Sequence, residues 1–546
     1  MMKRWLIYLL LPAFLLTSLA FVRPEADKYF ELIKNLEIFT NLYKELNAGY
    51  VDELDPARTM RTGIDAMLNA LDPYTNYISE SDIEGYRTLT EGRYNGIGAQ
   101  VKKIGELVTV TQIYENSPAL KAGLKAGDQI VEVDGQNARN RSTEDLNNIM
   151  QGFPGTQVRL KVLRPGEKKP YDLTLTREEV DLPNVPYSGM VDDHIGYIVL
   201  TTFTQQAANN IAKAYRDLKA KDPQLAGLIL DLRDNGGGLL NEAVNICNIF
   251  IDRGELVVST KGKVPEWDRS YKTTQSAVNT DIPLVILVNN RSASASEIVS
   301  GTIQDLDRGV IMGQLTYGKG LVQNTKEIGY NARLKLTTAK YYIPSGRCIQ
   351  AVSYKDGEPV HIPDDQRARF KTRNGRTVLD GGGVKPDVVL EKAKDPALIQ
   401  ALDEQNMIFD FVTRFCLTSD SIAGPDSFRF TDWDGFTAFL AEQKFTYQTA
   451  SDKALESLRQ KAEEEGLTPN LQQSIQALEG SLAVYRKESL DNHRDQIINL
   501  IEQEIIGRYY FNRGRKELGL RNDPEIAAAN QLLKDPARYK QILKGK

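Results

Sequence analysis

The stretch from Asp281 to Gln323 constrains the fold of this 546-residue chain more than any other. It opens with an apolar run, Ile282 to Val288, that reads as a buried strand. Asn289, Asn290 and Arg291 end that run, and Ser292-Ala-Ser-Ala-Ser-Glu297 leads into a helical pattern from Ile298. After Asp307 and Gly309 a second apolar run, Val310 to Met312, enters Gly313-Gln-Leu-Thr-Tyr-Gly-Lys-Gly320 and then Leu-Val-Gln323. A serine where a strand turns into a helix sits on backbone N–H groups that favour negative charge. A hydrolase acylated on such a serine needs those donors for its oxyanion, and Lys319 in the Gly-rich turn is the evident partner. Two other readings fit the same residues. Ser294-x-x-Glu297 is a capping box. Gly313 to Lys319 has the spacing of a phosphate-binding loop, although Gly320 stands where a Ser or Thr should follow and a strand pattern comes next.

Residues 180 to 392 continue an α/β alternation. Ile195 to Phe203 reads as a strand, and Ala207, Ile211, Ala214, Tyr215 and Leu218 mark an amphipathic helix. Leu225 to Leu232 is a second strand and Leu239 to Ile251 a second helix, so repeated βα units predict a largely parallel sheet with helices packed on it. Gly236-Gly-Gly-Leu-Leu-Asn241 falls one residue short of a dinucleotide fingerprint. Upstream, short alternating strands at Ala99–Val101, Leu107–Ile113 and Gln129–Val133, with a turn at Asp134-Gly135, predict a small β module. Helical spacing recurs from Tyr29 to Leu46, and Asp55-Pro56 caps a second helix through Leu71; together they read as a packing pair. After Asp395-Pro396 the chain turns helical over Leu398–Phe411, Phe436–Gln443, Ala454–Glu464 and Leu471–Ile505, which reads as a packing or oligomerisation region.

Several of these motifs together resemble the carboxy-terminal processing (tail-specific) serine peptidases. The resemblance rests on Ser-Ala-Ser-Ala-Ser-Glu after an apolar strand and Tyr-Gly-Lys-Gly-Leu-Val-Gln with its lysine twenty-five positions after Ser294. Asp231-Leu-Arg-Asp-Asn-Gly-Gly-Gly238, Tyr341-Tyr-Ile-Pro-Ser-Gly-Arg-Cys-Ile-Gln350 and Gly383-Val-Lys-Pro-Asp387 follow the family's order, and the match spans about residues 30 to 392. It implies a crotonase-like (ClpP-like) α/β peptidase core with an inserted β-rich PDZ domain and helical regions at both ends. The expected division is 1–22 signal peptide or anchor, 23–88 helical, 89–178 PDZ, 179–392 peptidase core and 393–546 helical. In a PDZ domain a glycine loop captures a peptide's terminal carboxylate on backbone N–H groups, and Gly96-Ile97-Gly98 matches that loop.

The chain has three histidines, His194, His361 and His493, none of them in a motif, so a Ser-His-Asp triad has little to recruit. A Ser–Lys dyad requires surroundings that favour the neutral amine. Gly318 and Gly320 would let the Lys319 backbone pack closely, and the Gln323 amide could orient the amine without adding charge. By resemblance Ser294 is the nucleophile, Lys319 the base and Gln323 the orienting residue, with the N–H groups of Ala295 and Gly237 as oxyanion hole. Ser292 and Ser296 compete for the nucleophile's role. No metal or organic cofactor is required. The alternative from another class is a catalytically silent PDZ-bearing scaffold on the same fold.

Composition narrows the partners. Sixty-eight basic against seventy-three acidic residues, with no basic run, argues against nucleic acid. Cys247, Cys348 and Cys416 are odd in number and widely spaced, without metal-ligand spacing. Met-Met-Lys-Arg followed by uncharged Trp5–Val22 reads as an export signal, with Ser18-Leu-Ala20 as a cleavage site. The expectation is an exported, periplasmic protein, with a membrane tether as the alternative to cleavage and exposed C-terminal tails of proteins as substrates.

Overall fold

The computed structural model describes residues 23–139, 141, 143–350, 352–355, 358–361, 363–391 and 395–545. The expected export signal, with Ser18-Leu-Ala20, lies outside them. The chain divides into two compact units, one of residues 1–77 with 354–358 and one of residues 78–353 with 359–546.

In the first unit, helices Arg23–Gly49 and Pro56–Asn69 occur where the periodicity placed them. Asp55 caps the second by accepting the Arg58 N–H at 3.1 Å, and Pro56 stands where a missing N–H is not needed. The first helix departs from the packing-pair expectation. Phe30, Ile33, Leu36 and Leu42 of its apolar stripe are each more than half exposed.

The second unit holds three bodies with their own cores. Six strands form its central sheet in the order Tyr187–Asp192, Ile195–Val199, Gly227–Asp231, Leu284–Val288, Val310–Gly313 and Val388–Val389. The first pairing is antiparallel and the rest are parallel. Every residue of the second, third and fourth strands is buried, and a sheet covered on both faces needs continuous apolar runs rather than alternation. Helices Ala207–Lys221, Leu240–Phe250 and Ala295–Asp305 cover one face. The other face is covered by the last two helices of the chain, Pro524–Leu533 and Pro536–Leu543. Their Ile526, Leu532, Leu533 and Tyr539 pack on Tyr197, Ile229, Val285 and Leu287. The end of the C-terminal region therefore belongs to the α/β core and not to a separate helical body.

The small β module is an antiparallel sheet of strands Ala99–Ile104, Leu107–Ile113, Gln129–Val133, Gln157–Leu163 and Tyr171–Thr176, closed over Ile97, Val110, Ile130, Leu146 and Leu160. The third core gathers Phe411, Trp433, Phe436, Ile501 and Ile505 from the C-terminal helices. The helix expected over Leu398–Phe411 is two, Ala397–Glu404 and Met407–Thr418, because Asn406 turns left-handed at φ 56°, a conformation asparagine tolerates. Leu471–Ile505 is likewise interrupted at His493, giving Thr468–Asn492 and Arg494–Asn522. No helix among the described residues is long and apolar enough to cross a membrane.

Candidate active site

Strand Leu284–Val288 ends in a tight turn carrying three serines, and their hydroxyls have different fates. Ser292 Oγ donates to the Leu232 carbonyl at 2.8 Å and accepts the Asn289 N–H at 2.9 Å. Ser296 Oγ donates to the Asn235 carbonyl at 2.8 Å. Both residues are fully buried. Ser294 is half-buried, and its hydroxyl, which stands in the capping box with the Glu297 N–H, donates to no carbonyl among the described residues. Its backbone stands at φ 55° and ψ −113°, a conformation that costs a residue with a Cβ about 1–3 kcal/mol and persists only where the surroundings impose it.

Glu297 supplies much of that constraint. Its Oε2 accepts the backbone N–H groups of Ser294 at 2.8 Å and Lys319 at 2.9 Å. Its Oε1 accepts the Gly318 N–H at 2.7 Å and the Thr316 hydroxyl at 2.5 Å. The capping-box reading thus captured only one of four contacts. Glu297 is fully buried, and burial pushes its carboxyl up to about 7, against the pull of those four donors. Tyr341 closes the other side: its Oη lies 3.1 Å from the Ser294 carbonyl oxygen and 2.5 Å from that of Lys319.

The lysine loop leaves strand Val310–Gly313 through Gly313 at φ 124° and reaches Lys319 through Gly318 at φ 86°. A Cβ on Gly320 would stand 2.7 Å from the Gln350 backbone nitrogen, and the Gly320 N–H donates to Gln350 Oε1 at 2.6 Å. Lys319 is half-buried. A strand, Leu321–Gly329, follows it, so the loop does not open into a helix and the phosphate-loop reading fails. Gln323 requires a correction. The ladder with strand Ala332–Tyr342 slips between Val322 and Gln323, and the Gln323 side chain donates to Thr337 Oγ1 at 3.2 Å instead of bonding Lys319.

The glycine run leaves strand Gly227–Asp231 and is fixed by Asn235, which is fully buried. Asn235 Nδ2 donates to the Leu200 carbonyl at 2.8 Å, and its own carbonyl accepts the Ala293 N–H at 3.0 Å beside the Ser296 hydroxyl. Asn235 Oδ1 accepts the Gly237 N–H at 2.9 Å. Gly237 therefore lies against the serine turn, since a Cβ there would be 2.8 Å from Ser294 Cβ, but its N–H is already committed. The N–H groups of Gly238 and Ala295 have no hydrogen-bond partner among the described residues. His194 sits in a left-handed turn and bonds Asp222 at 2.7 Å.

In the β module a groove of about 310 Å³ is lined by Tyr94, Ile97, Ala99, Val101, Asn147 and Met150. Gly98 takes φ 76°, as a tight glycine loop needs. The Ile97 N–H donates to the Met150 carbonyl at 3.3 Å and the Asn95 N–H to Glu84 Oε2 at 3.1 Å, while Gly96 pairs with Glu178 across a short ladder. The expected carboxylate loop thus has its Asn95 and Ile97 N–H groups taken up by neighbouring segments.

Three family models match the chain: peptidase family S41 over residues 194–358, a PDZ domain over 109–164, and the C-terminal helical domain of probable PDZ-proteases over 398–533. A carboxy-terminal-processing protease of Bartonella bacilliformis is 34% identical over 332 residues, covering 60% of this chain and 76% of the relative. The chain belongs to the carboxy-terminal-processing protease family. A probable CtpA-like serine protease of Staphylococcus aureus is 34% identical over 336 residues, covering 61% of this chain and 66% of that protein. Among solved structures, a photosystem II D1 C-terminal processing protease aligns at 26% identity over 65% of this chain and 92% of its own, with a TM-score of 0.36. Ser294, Lys319 and the glycine run of this carboxy-terminal-processing protease all fall inside the S41 match.

The sequence reading missed Glu297 as more than a cap, and it missed Tyr341 and Asn235. Tyr341 and Asn235 lay within motifs already singled out, but nothing in a motif says which member points inward.

Proposed function

We propose that this protease hydrolyses exported proteins near or from their C-terminal tails with a Ser294–Lys319 dyad. The observation that carries the reading is the division of labour among three neighbouring serines. Ser292 and Ser296 donate their hydroxyls to buried carbonyls, and Ser294 donates its own to none, at the start of a helix whose backbone is tied through Glu297 to that of Lys319. The neutral Lys319 amine takes the proton as Ser294 Oγ attacks the scissile carbonyl. The N–H groups of Ala295 and Gly238 receive the oxyanion, in place of the Gly237 N–H held by Asn235. Collapse of the tetrahedral intermediate passes the proton to the leaving amine, and water then hydrolyses the acyl-enzyme by the same route. Gln323 acts only through the hairpin, its amide bonding Thr337 on the neighbouring strand.

The PDZ module holds the substrate's tail in the groove beside Ile97, where a terminal carboxylate replaces the Met150 carbonyl as acceptor. Residues 1–22 carry the protein into the periplasm, either cleaved or kept as a tether, and the exposed stripe of helix Arg23–Gly49 serves as a homo-oligomer contact. The deciding experiment is cleavage of an unstructured protein with an apolar C-terminal tail by wild type, Ser294→Ala and Lys319→Ala. Loss of activity in both folded variants is expected. Cleavage surviving in Ser294→Ala would remove the dyad.

A further inference from the structure

The first turn of helix Pro524–Leu533 meets both loops of the site from the far end of the chain. Arg233, at the head of the glycine run, donates to both carboxylate oxygens of Asp231, Nε to Oδ1 at 3.0 Å and Nη2 to Oδ2 at 2.6 Å. Its Nη1 is met by Asp523 at 2.8 Å and Glu525 at 2.6 Å. Burial works against this charge, but the surrounding carboxylates outweigh it and hold Arg233 firmly protonated. Glu525 has a second contact: its Oε1 accepts the Gln314 side-chain amide at 3.4 Å. Gln314 is the second residue of the lysine loop, and its own N–H donates to the Val288 carbonyl at 3.0 Å. One side chain thus spans from the oxyanion loop to the lysine loop.

Glu525 is itself well fixed. Asp523 caps the helix by accepting the N–H groups of Glu525 at 2.9 Å and Ile526 at 3.2 Å. A carboxylate in the first turn is favoured by the helix dipole, and Ile526 is buried against the sheet one residue on. Three carboxylates around one guanidinium repel one another. The geometric tie between two loops that must align within a fraction of an ångström is what the arrangement offers in return.

We propose that Glu525 is a positioning residue for the peptidase reaction, holding the oxyanion loop and the lysine loop in register from the C-terminal helix. The proposal rests on the Ser294–Lys319 reading. Its test uses the full chain with Glu525→Gln, Gln314→Leu and Glu525→Asp, and Ser294→Ala as control. The readouts are kcat and KM on the tailed unstructured protein, the rate at which a fluorophosphonate labels Ser294, and the melting temperature. In Glu525→Gln, kcat and labelling fall about tenfold while KM, set mainly in the PDZ groove, stays within about twofold. Gln314→Leu shows a smaller loss of the same kind, and Glu525→Asp, which keeps the charge, recovers part of the rate. Unchanged kcat and labelling in a folded Glu525→Gln, or a change confined to KM, would overturn the proposal. If Glu525→Gln does not fold, Gln314→Leu decides alone, and wild-type kcat there overturns it. Activity surviving in Ser294→Ala would instead sink the dyad reading, so the two failures are distinct.

Discussion

Ser294 and Lys319 are joined twice through their backbones. One carboxylate oxygen of Glu297 accepts both N–H groups, at 2.8 and 2.9 Å, and the hydroxyl of Tyr341 reaches both carbonyls, at 3.1 and 2.5 Å. Two residues twenty-five positions apart are thereby fixed before either side chain is considered. Under the proposed Ser294–Lys319 dyad such fixing matters, because a nucleophile and its base act only when aligned, and alignment accounts for much of an enzyme's rate.

The Glu297 staple predicts opposite pH trends for activity and stability. Burial raises its carboxyl from an ordinary 4.5 to about 7, so the folded state favours the protonated form. The stabilisation this supplies is complete below about pH 4.5 and is lost as pH rises through about 7, a decrease of about 3 kcal/mol. Only the ionised carboxylate can accept from all four donors, so kcat should rise over the same interval. Urea unfolding of wild type and Glu297→Gln at pH 4.5 and pH 8 measures the first effect, which the Gln variant should lack. The kcat profile measures the second, and Glu297→Gln should be at least tenfold slower at every pH. A Gln variant with wild-type kcat would reduce Glu297 to a helix cap.

Tyr341→Phe should preserve the fold and lose rate. The ring is buried and stays packed, while removal of one buried hydroxyl leaves two carbonyls short of a donor, at about 1–3 kcal/mol. The expected outcome is a melting temperature lowered by a few degrees with kcat and fluorophosphonate labelling down about tenfold. Stability loss with undiminished labelling would make Tyr341 a packing residue.

Much of this architecture could be read from sequence where a single physical pattern dominates. Leu107–Ile113 and Gln129–Val133 appear at the bounds the alternation gave, and Leu284–Val288 lies inside the apolar run that announced it. Ser294 and Lys319 could be singled out because a strand–turn–helix and a glycine-flanked lysine are local patterns, and the structure ties their backbones together through Glu297. Gln323 and Gly237 were misplaced in detail because their partners are not local. A slip in one ladder turns Gln323 to Thr337, and a buried amide at Asn235 takes the Gly237 N–H. The role of Glu525 was equally hidden, since it meets Arg233 across 292 positions of chain.

The strained turn at Ser294 gives a test independent of catalysis. At φ 55° and ψ −113° a Cβ is disfavoured, and glycine alone adopts this region at little steric cost. Ser294→Ala and Ser294→Gly both remove the hydroxyl, so the difference between them reports the backbone. The Gly variant should be more stable than the Ala variant by about 1 kcal/mol, after its larger unfolded-state entropy is set against the relieved strain. Equal melting temperatures would show that the turn is relaxed.

The last two helices predict that the C-terminus is indispensable to the protease core. Tyr539 Oη accepts the Leu284 N–H at 2.9 Å and donates to the Leu284 carbonyl at 3.0 Å, on the strand that feeds the Ser294 turn. Tyr539→Phe strands that buried N–H and should cost about 1–3 kcal/mol by thermal or urea unfolding. A chain ended at residue 523 loses more, because Tyr197, Ile229, Val285 and Leu287 would then face water on one side of a sheet built to be covered on both. It should be recovered only as aggregate or unfolded protein. A soluble truncated chain that still labels at Ser294 would mean that the sheet's second face is dispensable and that Glu525 positions nothing.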